Sequence, residues 1–188
     1  MDLVTAMKQC SQTEGQSVYA HGEAVQDRMR QLLRYLETGE LALDWICPDW
    51  LMSYRTQLRD ALMPRQIIDE YTLFHDCGKP YCPSDGKRKF PNHTEVSYLI
   101  WLGVGGHLSA ARLMRMDMQI HTMKADEVPS FCTQPEAPTL LLAGLAEIHA
   151  NAEMFGGGTS VSFKIKWKQI DRRGRAICSH LFGGSDGK

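Results

Sequence analysis

The chain has 188 residues, with 21 lysines and arginines against 22 aspartates and glutamates, and a formal net charge of -1 at neutral pH. This length suits one domain with a sizeable core, so we expect a single domain over residues 1–188. No apolar run reaches the roughly 18 residues of a membrane span, and the start lacks the layout of a signal peptide. Six cysteines are too sparse for a disulfide scaffold. Together these features predict free thiols, a cytoplasmic location, and neither a membrane nor a disulfide-linked partner.

Apolar residues recur every three or four positions through most of the chain and predict a mainly α-helical fold. The first helix is expected over residues 17–36, with His21 on its inward face. Pro48 and Pro64 can each open a further helix, and the second of these delivers His75 and Asp76 near its end. The other helices are expected over three segments: 93–101, 109–124 and 139–155. Residues 80–92 are interpreted as a loop and residues 129–138 as a linker.

The pattern changes after three consecutive glycines at 156–158. Residues 161–168 alternate apolar and polar side chains, which predicts a half-buried strand. Residues 171–174 are a candidate turn, and residues 176–178 a candidate return strand. We therefore expect a helical core over about 17–155, followed by a C-terminal β-hairpin over about 160–182.

The predicted hairpin is also the most basic part of the chain. Residues 164–175 hold six basic residues and one acid, which leaves 15 basic and 21 acidic residues elsewhere. Lys164, Lys166 and Arg172 are our candidate substrate-binding residues here. The basic face fits either a solvated strand surface or a surface that binds phosphates. Lys87-Arg88-Lys89, in the predicted loop, would add to the same positive field.

The candidate site centres on the segment Phe74-His75-Asp76-Cys77-Gly78-Lys79-Pro80. A histidine next to an aspartate offers an imidazole nitrogen and a hard carboxylate to a divalent ion. Mixed ligands of this kind suit borderline metals, and we expect one or two ions of Mn, Ni, Co, Fe or Zn. The Gly-Lys that follows can bring a turn and a positive charge to a phosphate. Cys77 is interpreted as a packing residue.

This segment, with the histidines around it, resembles the HD superfamily of metal-dependent phosphohydrolases. The resemblance spans roughly residues 17–155 and implies an HD-type helical bundle. His21, His75 and Asp76 match the first three ligands of the family in order. Asn92-His93-Thr94-Glu95 and His121-Thr122-Met123 look like segments of HD proteins related to bacterial tRNA nucleotidyltransferases and RNA-repair modules.

The resemblance also implies a role for each site residue. Asp76 would bridge two ions, with His21 and His75 on one and His93 and His121 on the other. Asp76 and Lys79 would be the catalytic residues, with Lys79 contacting a substrate phosphate. The family often closes its site with an aspartate, where this chain has Asn151. Asn151 is our candidate for the last ligand, and Asp117, four residues before His121, is the alternative.

The function that this resemblance implies is hydrolysis of a phosphomonoester or phosphodiester by a metal-activated water. The substrate would be a nucleotide or an RNA end, with a 2′-phosphate or 2′,3′-cyclic phosphate slightly favoured. A catalytically degenerate HD fold that binds nucleotide or nucleic acid is the first alternative, supported by Asn151. A di-iron oxygenase is the second alternative, and Asn151 speaks against it. The oligomeric state is left open.

Overall fold

The protein is mainly α-helical, as predicted, and its described residues include a small two-stranded antiparallel sheet. The computed structural model describes residues 2–42, 44–82 and 90–183. The predicted cluster Lys87-Arg88-Lys89 lies outside these residues. All six cysteines are free thiols, in agreement with the absence of a disulfide pattern. Within the described residues, none of the helices is both long enough and apolar enough to span a bilayer.

The chain divides into two compact units, and each is built from two separate stretches of sequence. The first unit contains residues 1–27 and 64–118, and the second contains residues 28–63 and 119–188. The HD-type architecture and the single domain over residues 1–188 stay predictions.

The first unit starts with helix α1 (Leu3–Gln9) and a hairpin of strands β1 (Ser11–Thr13) and β2 (Gln16–Ser17). Its remaining helices are the first part of α2 (Val18–Thr38), then α5 (Arg65–Phe74), α6 (His93–Gly103) and α7 (Leu108–Met116). A 3-10 turn over Lys79–Tyr81 follows the His-Asp doublet. Helix α7 packs against both α5 and α6, so the doublet and His93 are held by neighbouring helices.

Within its described residues, the second unit contains the rest of α2 and six further helices. These are α3 (Asp49–Ser53), α4 (Arg55–Asp60), α8 (Gln119–Thr122), α9 (Val128–Cys132), α10 (Ala137–Ala150) and α11 (Val161–Phe182). Helix α10 is apolar on nearly every side and almost completely buried. The long helix α11 packs against α3, α8, α9 and α10.

The C-terminal β-hairpin predicted over about 160–182 is wrong, because this segment is the continuous helix α11. Its buried residues Phe163, Ile170 and Ile177 recur at helical intervals, and this longer pattern outweighs the short alternation over 161–168. Gly174 was interpreted as part of a turn. It lies inside the helix, where a Cβ would overlap the indole ring of Trp50. The one hairpin in the described residues is β1–β2, near the start of the chain.

Several other predicted boundaries are shifted. The helix expected after Pro48 is split into α3 and α4, and the helix expected over 109–124 is split into α7 and α8. The helix predicted over 139–155 ends at Ala150 and is followed by a 3-10 turn over Glu153–Phe155. The linker predicted over 129–138 contains most of helix α9.

Candidate metal centre

The His-Asp doublet lies at the C-terminal end of α5 and is buried in the first unit. His75 is the C-cap of α5, and Asp76 follows it with only 2% of its surface exposed. Ile67, Ile68 and Tyr71 bury the inward face of α5, as the helical pattern predicts. The buried face of this helix therefore carries the doublet into the interior of the unit.

Three histidines direct the same ring nitrogen towards the carboxylate of Asp76. His75 Nε2 lies 3.2 Å and His21 Nε2 lies 3.7 Å from Asp76 Oδ2. His93 Nε2 lies 3.6 Å from the other oxygen, Oδ1. Metal bonds of about 2.0–2.2 Å place neighbouring ligand atoms about 3–3.5 Å apart. The spacing of these donors fits a metal centre.

Hydrogen bonds to the backbone fix the orientation of two of these rings. Nδ1 of His75 lies 3.0 Å from the carbonyl oxygen of Thr72, and Nδ1 of His93 lies 3.0 Å from that of Phe90. A carbonyl oxygen only accepts, so each Nδ1 carries the hydrogen and donates it. In the neutral form of each ring the lone pair then lies on Nε2 and faces the site, an arrangement common among histidines that bind metals.

Lys79 is buried beside the same carboxylate. Its Nζ donates a 2.5 Å hydrogen bond to Asp76 Oδ2 and a 3.0 Å hydrogen bond to Gln12 Oε1 on strand β1. Burial raises the pKa of Asp76, but attraction to His75, Lys79 and His21 outweighs it, so the pKa lies well below its ordinary value. Asp76 is therefore a carboxylate at neutral pH, the form that binds a cation.

Two glycines close to predicted ligands allow these elements to approach closely. A Cβ on Gly22, which follows His21 in α2, would overlap the carbonyl oxygen of Leu73 at the end of α5. A Cβ on Gly78 would overlap the backbone of α6 close to His93, and the Gly78 amide donates to Ser97 Oγ at 2.9 Å. The short distances between His21, the doublet and His93 depend on these contacts.

Two residues near the doublet have structural roles. Cys77 is fully buried with its thiol directed at the Ser97 carbonyl oxygen, and burial raises its pKa to about 12. This agrees with the packing role expected from the sequence. Asp117, the alternative closing ligand, accepts a 2.5 Å hydrogen bond from the Tyr71 hydroxyl in the buried part of the first unit.

The other predicted ligands, His121 and Asn151, belong to the second unit. His121 Nε2 lies 2.8 Å from Glu147 Oε2. Asn151 is the C-cap of α10, one turn beyond Glu147, and is mostly buried. Glu147 was not identified from the sequence, although its position four residues before Asn151 places both on one helix face. Gln12, the partner of Lys79, was also missed, because no motif marks a glutamine in a short strand.

The three predicted substrate-binding residues of the C-terminal segment lie on α11, and all of them are exposed. The predicted alternation would place Lys164 and Lys166 on one strand face. In the helix these two residues are about 160° apart, whereas Lys164 and Arg172 lie on the same side. The expectation of a shared face for Lys164 and Lys166 is therefore wrong, while their binding of substrate stays a prediction.

Comparison with known proteins adds no relatives: no family model matches the chain, and neither the curated proteins nor the solved structures include a significant match.

Proposed function

We propose that the chain is a divalent-metal-dependent phosphohydrolase that cleaves a phosphomonoester or phosphodiester of a nucleotide or an RNA end. The observation that carries the proposal is the convergence of three imidazole Nε2 atoms on the carboxylate of Asp76 within the first unit. The Asp76 carboxylate already contacts Lys79, and the three histidines add nitrogen donors around it. Donors of this number and type suit a transition metal.

His21, His75, Asp76 and His93 would hold one or two ions of Mn, Ni, Co, Fe or Zn. When bound, such an ion acidifies a coordinated water and neutralises charge on the phosphoryl oxygens. The two oxygens of Asp76 face different histidines, Oδ2 towards His21 and His75 and Oδ1 towards His93, which supports a bridging role for this carboxylate.

Lys79 would supply a further positive charge for the substrate. Its ammonium group is held next to Asp76 by Gln12 and lies 5.5 Å from the centre of the Phe90 ring. A phosphate at the centre would accept a charge-assisted hydrogen bond from Nζ, which favours the transition state as negative charge builds on the phosphoryl oxygens. A cytoplasmic location is part of this proposal, since the six thiols are free.

The test is metal content and phosphate release, measured on protein purified without a histidine tag. The substrate panel contains deoxynucleoside monophosphates, 2′,3′-cyclic nucleotides, RNA ends with a 2′- or 3′-phosphate, and p-nitrophenyl phosphate. Asp76→Asn keeps the shape of the side chain and removes its charge. We expect bound metal in the wild type and a loss of turnover of at least about 1000-fold in this variant.

Asp60→Asn is the matched control, because Asp60 is an exposed carboxylate paired with Arg59. It should retain both metal and activity. Bound metal without turnover of any substrate would support instead an inactive protein that binds nucleotides. No bound metal and no activity after addition of Mn, Ni or Co would overturn the proposal.

A further inference from the structure

Helix α11 carries a row of basic side chains along one side. Lys164, Lys168, Arg172 and Arg175 follow one another at intervals of four, four and three residues, and all four are exposed. At 3.6 residues per turn they fall within an arc of about 80°. We refer to these four residues as the basic row.

The basic row faces away from the part of the helix that is packed in the second unit. The buried side of α11 carries Phe163, Ile170 and Ile177, whose positions lie well over 100° from the centre of the row. Four neighbouring helices of the unit cover this buried side. The side chains of the row are consequently available to a large ligand.

Little negative charge on the helix opposes the row. The single acid in α11 is Asp171, which is buried and forms an ion pair with Arg175. Lys164 lies in the first turns of the helix, after the N-cap Ser160, where the helix dipole adds positive potential. With 15 basic and 21 acidic residues outside the segment 164–175, the row is a local positive site on an otherwise acidic chain.

We propose that the basic row binds the phosphate backbone of a nucleic acid. Successive residues of the row are about 6, 6 and 4.5 Å apart along the helix axis, so the row is roughly 16 Å long. One strand of a regular duplex carries a phosphate about every 3.4 Å of axis, so the row spans several successive phosphates. A mononucleotide has too few phosphates to contact the whole row. This inference rests on the proposed phosphohydrolase. It makes the end of a polynucleotide, and not a mononucleotide, the expected substrate.

An anionic membrane fits the row less well. A helix that lies on a bilayer buries its apolar face among the lipids. The apolar face of α11 is already covered by protein. Outside that face, the helix exposes two large apolar side chains, Val161 and Ile165. Charge alone therefore has to supply the binding, as it does for a nucleic-acid backbone.

The test is fluorescence anisotropy of the full chain with a fluorescein-labelled, 20-nucleotide single-stranded RNA, in EDTA so that no hydrolysis occurs. We expect Lys168→Glu to weaken binding at least about tenfold at low salt. Lys8→Glu makes the same charge change at an exposed lysine of α1, outside the row, and should weaken binding less than about twofold. Thermal melts verify that both variants are folded.

The salt dependence gives a second, quantitative readout. Arg175 is paired with Asp171, so phosphate contacts from the other three members predict a slope of about -2 for the logarithm of the association constant against that of salt concentration. Lys168→Ala should reduce the size of this slope by about 0.7. Equal effects of Lys8→Glu and Lys168→Glu, or binding to anionic vesicles but not to RNA, would overturn the proposal.

The experiment separates this inference from the proposed hydrolase. The wild type should bind the RNA in EDTA, where no metal is present, because the row requires none. If the row binds nothing, while p-nitrophenyl phosphate is still hydrolysed, the inference fails and the proposed function stands. If RNA binds through the row and no substrate is turned over, the proposed function fails and the binding surface stands.

Discussion

His93 Nε2 lies 3.6 Å from Oδ1 of Asp76, whereas His21 and His75 face the other carboxylate oxygen, Oδ2. His93 reaches this position from α6, while the carboxylate comes from the end of α5. A histidine on each side of a carboxylate is the arrangement expected when that carboxylate bridges two ions.

The first prediction is that His93→Ala lowers the metal content by one ion per chain. His21, His75 and Oδ2 of Asp76 stay in place and should keep the other ion. Elemental analysis of dialysed protein measures the stoichiometry. His180→Ala, an exposed histidine on α11, is the control and should leave it unchanged. An unaltered metal content in His93→Ala would show that Oδ1 has no ion of its own.

The second prediction concerns Lys79 and the stability of the first unit. Lys79→Met removes the ammonium group that contacts buried Asp76, and loss of one partner from a buried ion pair costs about 3 kcal/mol. We expect this loss in urea unfolding with EDTA. Added Mn²⁺ should restore part of it, because a cation again neutralises Asp76.

Lys166→Met provides the comparison, because Lys166 is exposed. This variant should change the free energy of unfolding by less than about 0.5 kcal/mol, both with EDTA and with Mn²⁺. A loss in Lys79→Met that Mn²⁺ leaves unchanged would mean that no ion binds at the carboxylate.

The third prediction tests the close approach at Gly22. Gly22→Ala places a methyl group against the carbonyl oxygen of Leu73 and should destabilise the protein by about 3 kcal/mol. Gly103→Ala is the matched control at the end of α6, because no atom lies within 4 Å of its added Cβ. Its effect should stay below about 1 kcal/mol and should be neutral or stabilising. Equal urea midpoints for the two variants would contradict the packing of α2 on α5.

The fourth prediction is a pH dependence that arises from His149 in the second unit. This residue is 4% exposed and packs against Trp45, with the ring centres 4.0 Å apart and the ring planes tilted by 34°. Burial, followed by nearby Arg28, lowers its pKa to about 4, although Asp44 and the Ile46 backbone act in the opposite direction. The unfolded chain, with a histidine pKa of about 6.5, binds this proton more strongly.

Stability should consequently fall as the pH drops from about 6.5 towards 4, by roughly 3 kcal/mol from this group. His149→Phe, which keeps an aromatic ring in the site, should remove this part of the slope. The measurement is urea unfolding at pH 7.0 and pH 4.5. His180→Ala should follow the wild type, and a His149→Phe slope equal to that of the wild type would contradict the prediction.

Helical periodicity predicted the elements that carry the candidate centre. Val25, Met29 and Leu32 repeat at helical spacing in α2, and they are buried as expected, with His21 on the same side. The end of α5 was also predictable, because Gly78 and Pro80 follow the doublet. Helical spacing and helix-ending residues are both contained in a short stretch of sequence, so they can be recognised without the structure.

The C-terminal segment shows where local patterns fail. Eight alternating residues favour a strand, but Trp50 of the same unit packs where only a glycine at 174 leaves room. Such a contact joins residues far apart in the chain, and no short window contains it. The pairing of Glu147 with His121 was missed for the same reason, since it depends on how α8 and α10 pack.

The discontinuity of the first unit has a consequence for its ligands. His21 comes from residues 1–27, while His75, Asp76 and His93 come from residues 64–118, and the intervening stretch belongs to the second unit. An ion shared by His21 and His75 would close a long loop of chain, and would stabilise the protein as a covalent cross-link does, by restricting the unfolded chain. A gene fragment that encodes residues 64–118 alone would lack His21, so a metal centre that includes His21 could form only when residues 1–27 are also present.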